Sequence, residues 1–135
     1  MRILALGCTC LCLTFGILFE PIEAQSKEAT RKFVELQAAM QMHIERQLVD
    51  GALLHLDLES GAIEEYYPSQ AHAIIMQTKD YYILCSDLKN IDGKSVPIDF
   101  YMVEDNGHFV VIRREINNRT PLKNLMDNGV VSRLK

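Results

Sequence analysis

Tryptophan and usable cysteine are scarce in this chain of 135 residues. The sequence has no tryptophan, and three of its four cysteines, Cys8, Cys10 and Cys12, lie within the first 24 residues. Those residues have the pattern of a signal peptide that is removed on export, which leaves Cys85 as the single thiol. Because one thiol cannot form an internal disulfide, we expect an apolar core to stabilise the fold.

The sequence also lacks the short motifs that mark common catalytic and metal sites. It contains no glycine-rich phosphate loop, no Gly-x-Ser-x-Gly elbow and no His-Glu-x-x-His helix. The stretch from Leu88 to Asp99 carries Gly93 where a calcium loop has glycine, but Leu88 stands where the first carboxylate belongs. Nothing in the sequence therefore indicates a cofactor or a bound metal ion, and no motif supports an enzymatic activity.

The beginning of the chain has the pattern of a secretory signal peptide. A positive start precedes an uncharged apolar run over residues 3–19, and Ala24 offers a small residue at the cleavage position. An uncleaved membrane anchor is the alternative, although the run is short for a bilayer crossing. We expect residues 1–24 to be a signal peptide and residues 25–135 to form one exported domain, periplasmic or secreted. The compact signal and the absence of disulfides favour a bacterial periplasm.

Charge is unevenly distributed along the predicted mature chain. From Asp50 to Asp105 there are 11 acidic and 3 basic residues, whereas from Gly107 to the end there are 6 basic and 2 acidic residues. The simpler interpretation is that the two signs meet on one folded surface, and the alternative is a basic tail for an acidic partner. The basic residues are scattered without interleaved aromatic residues, which argues against nucleic-acid binding.

The spacing of apolar residues predicts one long helix at the start of the mature chain. Apolar positions recur every three or four residues after Ser26, which is predicted to cap the helix. Asp50 and Gly51 are predicted to end it. The apolar stripe consists of Phe33, Leu36, Met40, Ile44 and Leu48.

Downstream of this helix the pattern alternates, which predicts antiparallel strands. Pro68 is expected to separate the second alternating segment from the third. The dipeptides Asp-Gly at 92–93 and Asn-Gly at 106–107 predict hairpin turns, because such turns require positive φ. Thr120 is expected to cap a short last helix, with Pro121 at its first position.

The predicted architecture is therefore α+β. A long N-terminal amphipathic helix packs on a four- to five-stranded antiparallel meander sheet, and a short C-terminal helix follows. In outline this order is similar to the cystatin-like and nuclear-transport-factor-like groups, in which a curved sheet wraps a helix. The likeness is one of topology, and it implies no activity.

Cys85 lies in the middle of the most apolar predicted strand, between Leu84 and Ser86. An activated thiol needs a nearby cation or a helix N-terminus, whereas Asp87 is expected on the same face of the strand. We interpret Cys85 as a core residue, because free cysteine is among the most buried residue types. A reactive thiol and a Cys85–Cys85 bridge between two copies are the alternatives.

Aromatic pairs on successive strands suggest a ligand-binding surface. Neighbouring residues of a strand point to opposite faces, so one ring of each pair is expected in the core and the other outside. We predict that Tyr67, Tyr82 and Tyr101 line an open face, with His55 and Asp57 at its polar margin. The simpler alternative is that the rings stabilise the sheet by cross-strand packing.

A small exported binding or interaction module is the function that this pattern favours. Its partner would be a protein or a small-molecule ligand and not a nucleic acid, and membrane attachment would occur only through an uncleaved signal segment. One alternative is a hydrolase-type enzyme that uses the Cys85 thiol, or His55 with Asp57. A second alternative is a homodimer joined through an exposed sheet edge.

Overall fold

The structure, a computed structural model, describes residues 22–134. Two helices and seven strands follow one another within this range. They are α1 (Ile22–Gln47), β1 (Leu48–Val49), β2 (Ala52–Leu56), β3 (Ile63–Gln77), β4 (Tyr82–Lys89), β5 (Ser95–Asp105), β6 (His108–Ile116), α2 (Thr120–Asp127) and β7 (Ser132–Arg133). The predicted signal peptide lies outside the described residues except for its last three, so export stays a prediction.

The strands form one antiparallel sheet in the order β1 to β6, and β7 pairs with the end of β3. The α+β class, the antiparallel sheet and the long N-terminal helix are therefore confirmed. The sheet has six to seven strands rather than the four or five predicted. The additional strands β1 and β7 have two residues each, which is too short for an alternating pattern to be visible in the sequence.

Helix α1 packs its apolar stripe on one face of the sheet. Leu36, Met40 and Ile44 are buried, and Phe33 and Leu48 are partly buried against the same core. The stripe faces Leu84, Leu88, Ile98, Phe100 and Met102 of β4 and β5. The packing of the predicted stripe on a sheet is confirmed.

Both predicted ends of α1 are wrong. The helix begins at Ile22, and Ser26 lies inside it, where its carbonyl accepts a hydrogen bond from Thr30 Oγ1. It ends at Gln47, because Asp50 and Gly51 both have positive φ and form the two-residue turn between β1 and β2. The same dipeptide that was expected to end the helix therefore turns a hairpin.

Strand β2 differs from its predicted pattern. Ala52 and Leu53 are its buried residues, whereas Leu56 and Leu58, predicted on the apolar side with Leu54, are exposed. The strand ends at Leu56, and the chain then turns back through Asp57 to Ala62. Alternation predicted the two faces of this segment but not the point at which it leaves the core.

Strand β3 is continuous across Pro68, which was expected to break it. At Pro68 the strand pairs with β4 on one side only, because β2 pairs with residues 63–66 and β7 with residues 76–77. Proline lacks the backbone N–H, so it is tolerated where one edge of a strand is free. The register against β4 also shifts immediately after Pro68.

The second face of the sheet is covered by α2. Ile83, Cys85 and Tyr101 form a cluster there with Leu122, which is the buried residue of α2. This set of four residues is called the α2-side cluster below. The sheet is thus covered on both faces, rather than on one face as predicted.

The turns follow the predicted chemistry more closely than the caps do. Gly93, Asn106 and Gly107 have positive φ in the β4–β5 and β5–β6 connections, as predicted. Thr120, by contrast, is the first helical residue of α2 rather than its cap, and its N–H donates to Asn118 Oδ1 at 3.3 Å. A cap one residue earlier follows the sequence equally well.

Truncation of the α1 stripe tests this arrangement of layers. We expect Leu36→Ala to lower the free energy of unfolding by about 2–5 kcal/mol, because it leaves a cavity against the sheet. Val34→Ala, at an exposed position of the same helix, should change it by about 0.5 kcal/mol or less. Chemical denaturation of both variants measures the difference, and equal stabilities would contradict the packing described.

Candidate functional site

A bulge in β3 shapes the face of the sheet that lies under α2. Between Ala71 and Ile75 the strand advances four residues while β4 advances two, from Ser86 to Leu84. The carbonyl groups released from the ladder are satisfied by side chains. Ser86 Oγ donates to the Gln70 carbonyl at 2.9 Å, and Gln37 Nε2 of α1 donates to the His72 carbonyl at 2.9 Å. The bulge is therefore anchored from both sides.

An open cavity of about 750 Å³ lies between the bulged part of β3, helix α2 and strand β7. Its polar lining comes from Gln70, His72, Arg119 and Arg133. Its other walls are apolar and consist of Ala71, Ala73, Ile74, Met76, Cys85, Leu122 and Met126. A concave, mostly apolar surface with a few polar groups is the usual form of a small-molecule site.

A buried carboxyl group stands behind this cavity. Asp99 is 0% exposed, and in the ladder it lies opposite Cys85 on one side and Glu115 on the other. Arg119 Nη1 lies 3.0 Å from Asp99 Oδ1. Neither carboxyl oxygen has an aligned hydrogen bond within the described residues, so the ion pair is a charge contact. Burial raises the pKa of Asp99, although the Arg119 guanidinium opposes this effect.

Cys85 lies on the floor of the cavity and is only 6% exposed. Burial raises the pKa of its thiol to about 12, and the adjacent Asp99 acts in the same direction. A nucleophilic cysteine requires the opposite shift. The structure places Cys85 in the α2-side cluster, as the strand pattern indicated for a core residue.

Two more polar groups lie on this face of the sheet. His72 Nε2 and Asp87 Oδ2 are 3.0 Å apart, and both side chains are partly exposed. Tyr101 is buried, and burial raises the pKa of its hydroxyl to about 12. Its hydroxyl oxygen has no hydrogen-bond partner among residues 22–134. The α2-covered face thus contains polar atoms whose bonding capacity is unused.

The three tyrosines predicted to line one open face are not together. Tyr82 lies on the α1 side, where Lys32 Nζ donates to its hydroxyl at 3.2 Å and its ring packs edge-on against Phe109. Tyr101 lies on the opposite face under α2. Tyr67 is exposed and pairs with Lys89, six residues along β4 from the partner of Tyr101, which is about 20 Å. A groove formed by these three rings is therefore corrected.

His55 and Asp57 also lie apart from the cavity. The His55 ring is 6.4 Å from the Tyr66 ring at the β2–β3 pairing. Asp57 accepts hydrogen bonds from the Ser60 hydroxyl and the Glu59 N–H in the turn that follows β2. The Ser60 hydrogen bond lowers the pKa of Asp57. Both carboxylate oxygens of Asp57 thus hold a turn, and neither is hydrogen-bonded to His55.

Prediction from sequence missed the residues that form the cavity. His72, Arg119 and Arg133 come from three separate elements, and no local pattern links them. One signal was present, because Asp99 interrupts an apolar strand between Ile98 and Phe100. A carboxylate in such a strand is buried only if something covers its face, and the cover here comes from α2.

Neither a metal centre nor a membrane span is found in the described part of the chain. Within residues 22–134, no three His, Cys, Asp or Glu residues are placed to hold a metal ion. Neither α1 nor α2 has the length and apolar content that crossing a bilayer requires. No protein-family model, curated protein or solved structure matches the chain significantly. The site is therefore interpreted from its own geometry.

Thiol labelling tests the environment of Cys85. With a raised pKa and 6% exposure, native Cys85 should react slowly with iodoacetamide at neutral pH and rapidly after unfolding in denaturant. Mass spectrometry of the peptide that contains Cys85 separates it from the cysteines near the start of the chain. A cysteine at exposed position 34, Val34→Cys, is the control and should react at once. Fast native labelling of Cys85 would contradict the buried assignment.

The buried carboxyl group predicts a pH-dependent stability. Because the folded-state pKa of Asp99 is raised, its contribution to stability is fully present below the ordinary pKa of 3.8 and is lost as pH rises through the folded-state value. Asp99→Asn removes the buried charge, and we expect it to be more stable than the natural protein at neutral pH by about 1 kcal/mol. The difference should vanish in acid.

Denaturation at pH values between 3 and 8 measures this difference. Asp92→Asn, an exposed position in the β4–β5 turn, is the matched control and should follow the natural protein throughout. If Asp99→Asn is instead less stable at neutral pH, the Asp99–Arg119 ion pair stabilises the fold by more than its burial costs.

Proposed function

We propose that this protein is a non-catalytic ligand-binding domain and that its site is the cavity between β3, α2 and β7. The observation that carries the proposal is the cavity itself, about 750 Å³ of mostly apolar surface with a polar margin. A folded domain normally fills such a space with side chains, because interiors are close-packed. A cavity of this size, kept open by an anchored bulge, is suited to a small molecule.

The bulge supports this function because it keeps the cavity open at a cost in strand pairing. An unbulged β3 would continue its ladder with β4 through Ala71 to Ile75. Bulges are typical of sheet regions next to binding sites, where they redirect side chains. The hydrogen bonds from Ser86 and Gln37 hold the displaced segment in one conformation, so the site is preformed.

A binding function suits the chemistry of the site better than catalysis does. The raised pKa of Cys85 disfavours the thiolate at neutral pH. His72 is hydrogen-bonded to Asp87, but no serine, threonine or activated thiol is bonded to it among the described residues. A nucleophile and its base within hydrogen-bond distance are the usual sign of a hydrolase.

Two further expectations belong to the same proposal. The signal-peptide pattern of residues 1–24 supports export of the domain to the periplasm or beyond the cell. The long helix and the meander sheet support a cystatin-like or nuclear-transport-factor-like outline. Both groups wrap a sheet around a helix, and here α1 lies against β2 to β6.

Binding of a neutral apolar dye tests the site without knowledge of the natural ligand. Nile red should increase its emission with the natural protein, because the apolar walls exclude water from the dye. Ala73→Trp places an indole in the cavity and should weaken dye binding by about tenfold or more. Fluorescence titration at fixed dye concentration measures both dissociation constants.

Ala38→Trp is the matched control for this experiment. Ala38 is an exposed alanine of α1 outside the cavity lining, so the same substitution there should leave dye binding unchanged. Circular dichroism and thermal unfolding confirm that both variants are folded. No emission change with the natural protein, or equal binding by the two variants, would sink the proposal.

A further inference from the structure

The charges that line the cavity have one sign. Arg119 and Arg133 are among its lining residues, His72 lies beside them, and no lining residue is acidic. The chain as a whole is acidic, with a net charge of −4. A cluster of cationic side chains around an apolar space is therefore a local departure from the overall charge, and it favours a negatively charged ligand.

The two arginines have unused hydrogen-bonding capacity. Arg133 is exposed on β7 and forms no salt bridge with the residues that the structure describes. Arg119 directs one nitrogen at Asp99, yet a guanidinium carries five N–H donors in a planar fork. Such a fork matches a carboxylate in a bidentate arrangement, and pairs of this kind are stronger than neutral hydrogen bonds.

Apolar side chains next to the arginines are exposed although they line a concave surface. Ile74 on β3 is 46% exposed, and Met126 on α2 is 53% exposed. These two residues belong to opposite walls of the cavity. Covering both with an alkyl chain would remove apolar surface from water, at roughly 25 cal/mol per Å². The site thus combines a cationic margin with an unfilled apolar space.

We infer that the cavity binds a single-headed anionic amphiphile, a monomeric alkyl carboxylate. The carboxylate is held by Arg119 and Arg133, and the alkyl chain lies between Ile74 and Met126. The inference rests on the proposed ligand-binding function and specifies its ligand class. Asp99 and Asp87 lie behind the lining and would favour a cation instead, so the sign of the ligand charge is the quantity to test.

Competition between three ligands with the same alkyl chain tests the inference. Decanoate, decanol and decyltrimethylammonium are each titrated against the full protein with bound Nile red, below the concentrations at which they form micelles. We expect decanoate to bind about tenfold or more tightly than decanol, and the ammonium compound to bind most weakly. The preference for decanoate should decrease as salt is added, because the contact is partly exposed.

Arg133→Gln tests the residue assignment. It should reduce the preference for decanoate over decanol about tenfold while leaving decanol binding unchanged. Arg46→Gln removes the same charge from an exposed position of α1 outside the cavity, and it should leave the preference intact. Arg133→Lys keeps the charge but not the fork, and it should retain part of the preference.

The outcomes separate the two proposals. Equal affinity for decanoate and decanol, both blocked by Ala73→Trp, would leave the binding function standing and overturn the anion preference. Tighter binding of the ammonium compound would overturn it as well, in favour of Asp99 and Asp87. Binding only to vesicles that contain anionic lipid would show recognition of a surface rather than of a monomer. Failure of the dye and of all three ligands to bind would overturn the proposed function itself.

Discussion

The packing of α1 on the sheet is the interaction on which the rest of the structure depends. Leu36, Met40 and Ile44 bury the concave face of β4 and β5 and join the first residues of the described chain to strands far along it. With no disulfide among the described residues, this apolar contact is the main source of stability. Because α1 secures one face, the other face is left for the shorter helix and the cavity.

The two faces of the sheet therefore carry different tasks. The α1 side is apolar and closely packed, as a core that must stabilise a small domain should be. The α2 side contains Asp99, the Tyr101 hydroxyl and the Cys85 thiol, which are polar groups that cost free energy when they are buried. Features of this kind lower stability, and proteins commonly retain them where a site requires them.

The parts of the fold that depend on local chemistry could be predicted from the sequence. The α1 stripe follows the helical period, and the Asn106–Gly107 turn follows from the positive φ that both residues adopt. The β3 bulge could not be predicted, because it depends on how two strands pair across the turn between them. Pro68 misled for the same reason, since its tolerance depends on a free edge.

The site was missed because it depends on long-range placement. Alternation correctly separated Phe100 and Tyr101 onto opposite faces, but no local pattern shows that α2 covers the face of Tyr101. The tyrosines were therefore assigned to an open surface that the fold closes. Arg119 and Arg133 flank α2, so their relation to His72 exists only once α2 has docked.

The attachment of α2 also determines how the cavity exchanges its contents. Leu122 is the one fully buried side chain of this helix, with Leu125 partly buried beside it, whereas α1 is held by three buried residues and several partly buried ones. An element held so lightly can detach without loss of the main core, at a free energy well below that of global unfolding. Access to the cavity is then set by the rate at which α2 opens rather than by the width of a fixed entrance. Ligand residence time and the local stability of α2 become the same physical quantity.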